Sequence, residues 1–170
     1  MTKKQNQKRK QELAERSLVE SLGFQVHYGL KIMGREADDL FQQLADAEVS
    51  FISELGLTQD ILSLKNLVEG VKKDLQVEPT PEKGDFQTSV SAIALGIASI
   101  PSLDSMKIPA SWEELIKKRI LEIFYPEDRR SQVLQWAKQN GFSTSTYLGQ
   151  PIVKFDKIYV VIKRTRNEGE

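Results

Sequence analysis

The chain has 170 residues, of which 39% are hydrophobic, 28% charged and none cysteine, and its 24 basic and 24 acidic side chains balance to zero net charge. Without cysteine there is no disulfide scaffold, thiol nucleophile or thiolate zinc site, and the single histidine, His27, leaves metal ligation to carboxylates. The length suits one ordinary domain, and the periodic aliphatic runs predict a folded body with polar ends rather than a disordered chain.

The charge is unevenly spread. Residues 1–10 carry Lys3, Lys4, Lys8, Arg9 and Lys10 against no acid, residues 11–100 are net −8, and residues 101–166 are net +5. A basic arm, an acidic middle and a basic C-terminal third make a polarised molecule. No apolar h-region follows the basic N-terminus, and the longest nearly apolar stretch, 90–100, falls short of the roughly 20 residues that span a bilayer. The expectation is a soluble, cytoplasmic protein with no membrane contact.

In chain order, Lys3 to Lys10 hold nothing apolar to bury, so residues 1–10 are expected to be a disordered basic arm. Composition favours a helix over about 5–22, with Leu13, Leu18 and Leu22 apolar and Gly23 suited to end it. Phe24, Val26, Tyr28, Leu30 and Ile32 then alternate with Gln25, His27, Gly29 and Lys31, the pattern of a half-buried strand. From Gly34 the period changes. Ala37, Leu40, Leu44, Ala47 and Phe51 follow 3-4-3-4 spacing, reinforced by Phe41, Ile52 and Leu55, and Ile61, Leu64, Val68, Val71 and Leu75 repeat it. With only Gly56-Leu57-Thr58 between them, and Thr58 available as a cap, these stretches predict a long antiparallel helical hairpin over 34–76.

The proline- and glycine-bearing segment 78–85 reads as a loop dividing two halves, 11–77 and 86–166. Phe86, Val90, Ile93, Ile97 and Ile100 predict a central helix that is apolar nearly all round. Ser111-Trp-Glu-Glu114 matches a capping box opening a helix to about Tyr125, with Ile116, Ile120 and Ile123 inward, and a further helix is expected from Pro126 to Asn140, ended by Gly141. Tyr147-Leu148 and Ile152 to Ile162 read as strands joined near Gly149-Gln150-Pro151, with a bulge or second turn at Asp156-Lys157. A shared Gly-Phe at the helix exits before residues 24 and 142 suggests that the early and late strands share one sheet.

The candidate chemistry is sparse. His27 has no second histidine near it in sequence and reads as a surface or interface residue. Glu36, Asp38, Asp39 and Asp46 could gather on one helix face around a divalent cation, but acids in a first turn are also what the helix dipole favours. No phosphate-binding, dinucleotide, nucleophile-elbow or zinc-protease motif occurs, so the expectation is a protein that is not an enzyme and uses no cofactor. Basic features say more. The arm, then Arg129, Arg130 and Lys138 with glutamines on one helix, then Lys154, Lys157, Lys163, Arg164 and Arg166 on or after the last strand, are positioned to meet phosphates. Tyr147 and Tyr159 among them could stack on bases, whereas Phe142 and Phe155 read as core. Helix, helix and basic hairpin share element order, but no residue signature, with the second half of a winged helix-turn-helix.

The expected fold is α+β and mostly helical: the long helical hairpin plus further helices packed with a small sheet of about three strands, residues 11–166 forming a single compact domain and 167–170 a loose tail. The expected function is a non-catalytic nucleic-acid-associated subunit of a larger complex, on RNA or single strands, whose acidic hairpin faces a protein partner. The alternative is a protein–protein adaptor or assembly factor with no nucleic-acid contact.

Overall fold

The computed structural model describes residues 2–100 and 112–165. The architecture is α+β, with helices α1 (Lys3–Ile32), α2 (Asp39–Glu54) and α3 (Thr58–Leu75), a 3-10 turn (Asp85–Thr88), short helices α4 (Val90–Ala94) and α5 (Trp112–Lys117), then β1 (Ile120–Pro126), α6 (Arg130–Gln139), β2 (Ser143–Tyr147), β3 (Gln150–Lys154) and β4 (Tyr159–Thr165). The strands form one mixed sheet in the order β1-β4-β3-β2, parallel between β1 and β4 and antiparallel elsewhere.

The expected strand at 24–32 is instead the second half of α1. Its alternation contains two helical stripes, because every second member of a period-2 pattern is also an i, i+4 neighbour. Leu22, Val26 and Leu30 form the stripe that is buried, while Phe24, Tyr28 and Ile32 form the other, with Phe24 72% exposed. Gly23 lies within the helix at a cost of about 1 kcal/mol. Gly29 has a steric role: a Cβ there would overlap the Ala94 carbonyl, so α1 and α4 pack backbone to backbone only because it is absent. At the other end, residues 3–10 are helical rather than loose. Thr2 and Gln5 make a reciprocal capping box, and the intervening Lys, Gln and Arg are good helix formers.

α2 and α3 follow one another across a short turn, as expected, but they scarcely touch each other: instead of closing as a hairpin, both pack on α1. In α3 the expected stripe of Ile61, Leu64, Val68 and Val71 is buried. In α2 the structure inverts the reading. Phe41, Ala45, Glu48, Val49 and Ile52 face the core, while Leu40, Ala47 and Phe51, members of the 3-4-3-4 stripe, face solvent. Thr58 does not cap α3; its buried hydroxyl has no partner among the described residues.

The segment expected as one helix over 86–100 is buried as foreseen, but broken. Ser89 caps α4 by accepting from Ala92 N–H, and the bonds from Gly96 N–H to Ile93 O and Ile97 N–H to Ala92 O close its other end. The helix expected to run to Tyr125 stops at Lys117, and Ser111 lies outside the described residues. After Arg119, at φ 55°, Ile120 to Pro126 form β1. The inward spacing of Ile116, Ile120 and Ile123 was compatible with a helix, but Leu121, Ile123 and Tyr125 also alternate, and pairing with β4 realises that second period. A winged helix-turn-helix order is thereby replaced by strand, helix and three strands. Leu148 and Gly149, both at positive φ, make the two-residue β2–β3 turn, and the expected turn at Asp156-Lys157 joins β3 to β4.

One apolar core runs through both halves. On one face of the sheet α6 packs through Val133 and Ala137, with Trp136, Phe142 and Phe155 as an aromatic chain beside them. Segment 78–85 does not hang between halves. It runs along the outer edge of β1, where Thr80 N–H donates to Phe124 O and Asp85 accepts from Glu122 N–H at 2.7 Å, so the edge strand is covered. Asp85 also holds Lys118 at 3.0 Å, a hydrogen bond that raises the lysine above its ordinary value.

Two buried carboxylates fasten elements to each other. Asp60 of α3 accepts the backbone N–H groups of Asp156, Lys157 and Ile158 at 3.1, 2.7 and 3.2 Å, and Glu48 of α2 accepts Ser89 Oγ at 2.7 Å and Ser91 N–H at 3.0 Å. Replacing Asp60 by alanine orphans three donors, so Asp60→Ala is expected to destabilise the fold by about 3 kcal/mol, read by urea denaturation. Asp74→Ala, which removes only an exposed acceptor for Trp136 Nε1, serves as the mild control. The buried Tyr125 hydroxyl has no hydrogen-bond partner among the described residues, and burial pushes its titration upward. Tyr125→Phe should therefore be neutral or stabilising by up to about 1 kcal/mol, and a clear loss of stability would show that the hydroxyl is satisfied.

Candidate nucleic-acid interface

The topology sorts the basic residues by height along the sheet. β1 and β4 finish at the same end, where β3 begins and β2 finishes, because β1 and β4 are parallel and the other pairs antiparallel. Arg130 opens α6 just past the end of β1, and Lys163 and Arg164 lie near the end of β4. These three converge with Lys83, Phe124, Thr165 and the β2–β3 turn (Gly149, Gln150, Pro151) around a cavity of about 660 Å³. Lys154, Lys157 and Tyr159 sit at the opposite end, with Lys138 on the last turn of α6. A seven-residue strand spans roughly 20 Å, so the C-terminal cations form two groups rather than one patch.

Within the cavity the cations are not equivalent. Lys163 lies 5.7 Å over the Phe124 ring and 3.2 Å from the Glu122 carboxylate, a neighbour set fixed by the pairing of Phe124 with Lys163 across the parallel ladder. Arg164 is 3.7 Å from Glu127. Lys83 and Arg130 have no carboxylate partner among the described residues. Four cations against two half-exposed carboxylates leave the cavity positive, and the N-terminus of α6 adds its dipole at Arg130.

Arg129 and Arg130 are adjacent in sequence but differ in role. Arg129 is the residue before α6, and its guanidinium donates to Leu75 O at 2.8 Å and to Gln132 Oε1 at 2.7 Å. It caps the end of α3 and fastens α3 to α6, so part of its guanidinium is already engaged within the fold. Arg130 points to the cavity.

Register also decides the aromatics. Tyr147, Lys154, Tyr159, Lys163 and Phe124 share the sheet face opposite α6. Tyr159 is not the free ring expected, since its cross-strand partner Lys154 lies 5.6 Å over it. Tyr147 is exposed and uncovered. Lys157 is drawn to the turn held by Asp60, and its side chain passes close to Gly56. Lys3, Lys4, Lys8, Arg9 and Lys10 are exposed on the first turns of α1. Arg166 lies outside the described residues.

Two participants escaped the sequence reading. Lys83 sits in a segment taken for a linker, and no pattern marks it; only the docking of that segment on β1 brings it to the cavity. Phe124 fell in a stretch read as helix, which hid its pairing with Lys163. His27 bridges α1 and α2, with Nδ1 bonded to Gln42 Oε1 and Nε2 2.6 Å from Asp46 Oδ1. Gln42 Nε2 donates to the carbonyls of Arg35 and Glu36, so its oxygen is the atom left to accept from the ring. Asp38 caps α2 and pairs with Arg35 at 3.3 Å. Among the described residues no three metal-ligating side chains gather, and Glu36, Asp38, Asp39 and Asp46 do not form a cation site.

The two neighbouring arginines provide a direct test. Arg129→Ala should lower stability by about 1 to 2 kcal/mol, through loss of charge-assisted bonds to the end of α3. Arg130→Ala should leave thermal unfolding unchanged and weaken only anion binding. Equal melting curves for both variants would refute this division. No protein-family model matches the chain and no curated protein matches it at a significant level.

Proposed function

We propose that the protein is a non-catalytic nucleic-acid-associated subunit that holds the phosphate backbone of RNA or another single strand at the end of its sheet. The observation that supports this is the convergence of Lys83, Arg130, Lys163 and Arg164 on one concave site beside Phe124. Its volume is in the range of sites that take small organic groups, so a splayed nucleotide fits where the convex surface of a duplex would not. Tyr147, exposed near the same end of the sheet, offers a stacking surface. Incoming phosphates would compete with Glu122 and Glu127 for Lys163 and Arg164, an exchange of one anionic partner for another.

A second reading has its own support: an adaptor with no nucleic-acid contact, drawn from the exposed apolar stripes on α1 and α2. Among the described residues no helix is long and apolar enough to cross a membrane, and both readings concern partners in aqueous surroundings.

Fluorescence anisotropy with a labelled single strand separates the two readings. If the four cations neutralise about four phosphates, log K should fall against log salt with a slope of about −3, from roughly 0.7 per phosphate. Replacing Arg130, Lys163 and Arg164 by alanine should reduce that slope by about 2 and weaken every sequence alike. Folded protein that binds no strand at low salt would sink the nucleic-acid reading and leave the adaptor.

A further inference from the structure

Three features of α1 and α2 share one explanation. First, α1 is longer than its support. Its 30 residues extend about 45 Å at 1.5 Å per residue, yet residues 2–17 are exposed on every side and burial begins only with Leu18, Val19 and Leu22. About four turns of helix therefore stand clear of the body. Isolated helices of that length are marginal in water even with good formers, and Lys4 and Lys8, four apart, repel each other.

Second, α2 carries exposed apolar side chains that no described element covers. Leu40, Ala47 and Phe51 face outward beside Leu44, which is half-buried against the core, and together they repeat at 4-3-4 spacing, the narrow stripe or seam that a second helix covers. Leu40 is 62% and Phe51 44% exposed. The seam is not the face that meets α1 of the same chain. That contact includes Gln42 and Asp46, both bonded to His27, which helical spacing places about 100° to 180° around α2 from Leu40, Ala47 and Phe51.

Third, the two surfaces are opposite in charge. The free half of α1 carries Lys3, Lys4, Lys8, Arg9, Lys10 and Arg16 against Glu12 and Glu15. From Glu36 to Glu54 there are six carboxylates and no cation. Glu48 is buried, Asp38 pairs with Arg35 and Asp46 with His27, which leaves Glu36, Asp39 and Glu54 flanking the seam. Neither these three nor any of the six cations has an ion-pair partner among the described residues.

We propose that the chain self-associates through these surfaces: the projecting basic half of α1 in one copy lies along the acidic-rimmed seam of α2 in a second copy. Under a two-fold axis each copy gives one arm and receives one, so the contact is made twice and closes as a dimer. The exposed Leu13 is the apolar side chain that enters the seam, and the lysine stems cover the remainder while their ammonium groups meet Glu36, Asp39 and Glu54. α2 is then held between two α1 helices, its own on the Gln42 side and the partner's on the Phe51 side. This dimer is independent of the cavity at the sheet end, and neither proposal depends on the other.

Sedimentation velocity tests it, on nuclease-treated protein over a hundredfold range of concentration, at low and high salt. The expected result is a dimer at low salt that dissociates as salt rises, since the attraction is between exposed charges. Two charge-reversed variants, Lys8→Glu/Arg9→Glu/Lys10→Glu and Glu36→Lys/Asp39→Lys/Glu54→Lys, alter only exposed side chains and should each be monomeric with unchanged far-ultraviolet circular dichroism. Mixed in equal amounts they should associate again, because the reversed arm of one matches the reversed seam of the other. Leu40→Glu/Phe51→Glu should abolish association at any salt. A wild-type monomer at every concentration, a dimer indifferent to both reversals, or a mixture that stays monomeric would overturn the proposal.

Discussion

The carboxylate of Asp60, buried at the start of α3 and accepting three consecutive backbone N–H groups, sets the position of the helical layer against the sheet. An ionised carboxylate withdrawn from water costs several kcal/mol unless its lone pairs are filled, so Asp60 is stable only where the 156–158 turn presents its donors together. That turn starts β4, and the register of β4 against β1 and β3 follows from where it begins. Lys163 over Phe124, Arg164 near Glu127, and the opening between them are consequences of a staple at the far end of the strand. Glu48 acts on α4 in the same way, and Asp85 on the first half of β1. The acidic middle of the chain is thus partly internal. Three of its carboxylates are side-chain substitutes for backbone acceptors, each joining elements distant in sequence.

The cavity at the sheet end collects its parts from four separate places: the loop beside β1, β1 itself, the start of α6, and the β3–β4 hairpin with its neighbouring turn. Such a site is held by rigid elements rather than by a flexible loop. Arg129 shows how narrow the division between structure and interaction is, since one step along the chain turns a guanidinium from the carbonyl of Leu75 to an open concavity. The polarity read from the sequence survives in three dimensions in altered form. The basic C-terminal third splits between the two ends of the sheet, and the basic N-terminal arm is carried outward on a helix.

Apolar residues facing solvent are as informative as the core. A monomeric helical body normally buries the wider stripe of each helix and leaves scattered apolar residues outside. Here α2 buries one stripe and exposes another with coiled-coil spacing, and α1 stacks Phe24 on Tyr28 at 6.3 Å on its outer face. Helices with two apolar stripes have two possible partners, and the fold of a single chain supplies only one.

Where a segment held one period, its sequence alone determined the element: α3 with its buried stripe, the end of α6 at Asn140 and Gly141, the strand character from Ile152 to Ile162 and the turn at Asp156-Lys157 read directly from residue order, whereas β2, exposed and without an apolar pattern over Ser143–Tyr147, did not. Composition likewise determined the absence of thiol chemistry and the basic character of both ends. Tertiary structure decided the segments that held two periods. Residues 24–32 alternate, but alternate positions four apart also line a helix, and the fit of Val26 and Leu30 to the core, with Gly29 against α4, selected the helix. Residues 120–126 could have continued a helix, and the parallel partner β4 selected the strand. In α2 the 3-4-3-4 spacing of Leu40, Leu44, Ala47 and Phe51 points to the wrong face, and contact with α1 and α4 buries Phe41, Ala45, Val49 and Ile52 instead. The cavity was hidden for a related reason. Local sequence specifies the charge on Lys83, Arg129, Arg130 and Lys163, but the direction in which each charge points depends on neighbours forty or more residues away.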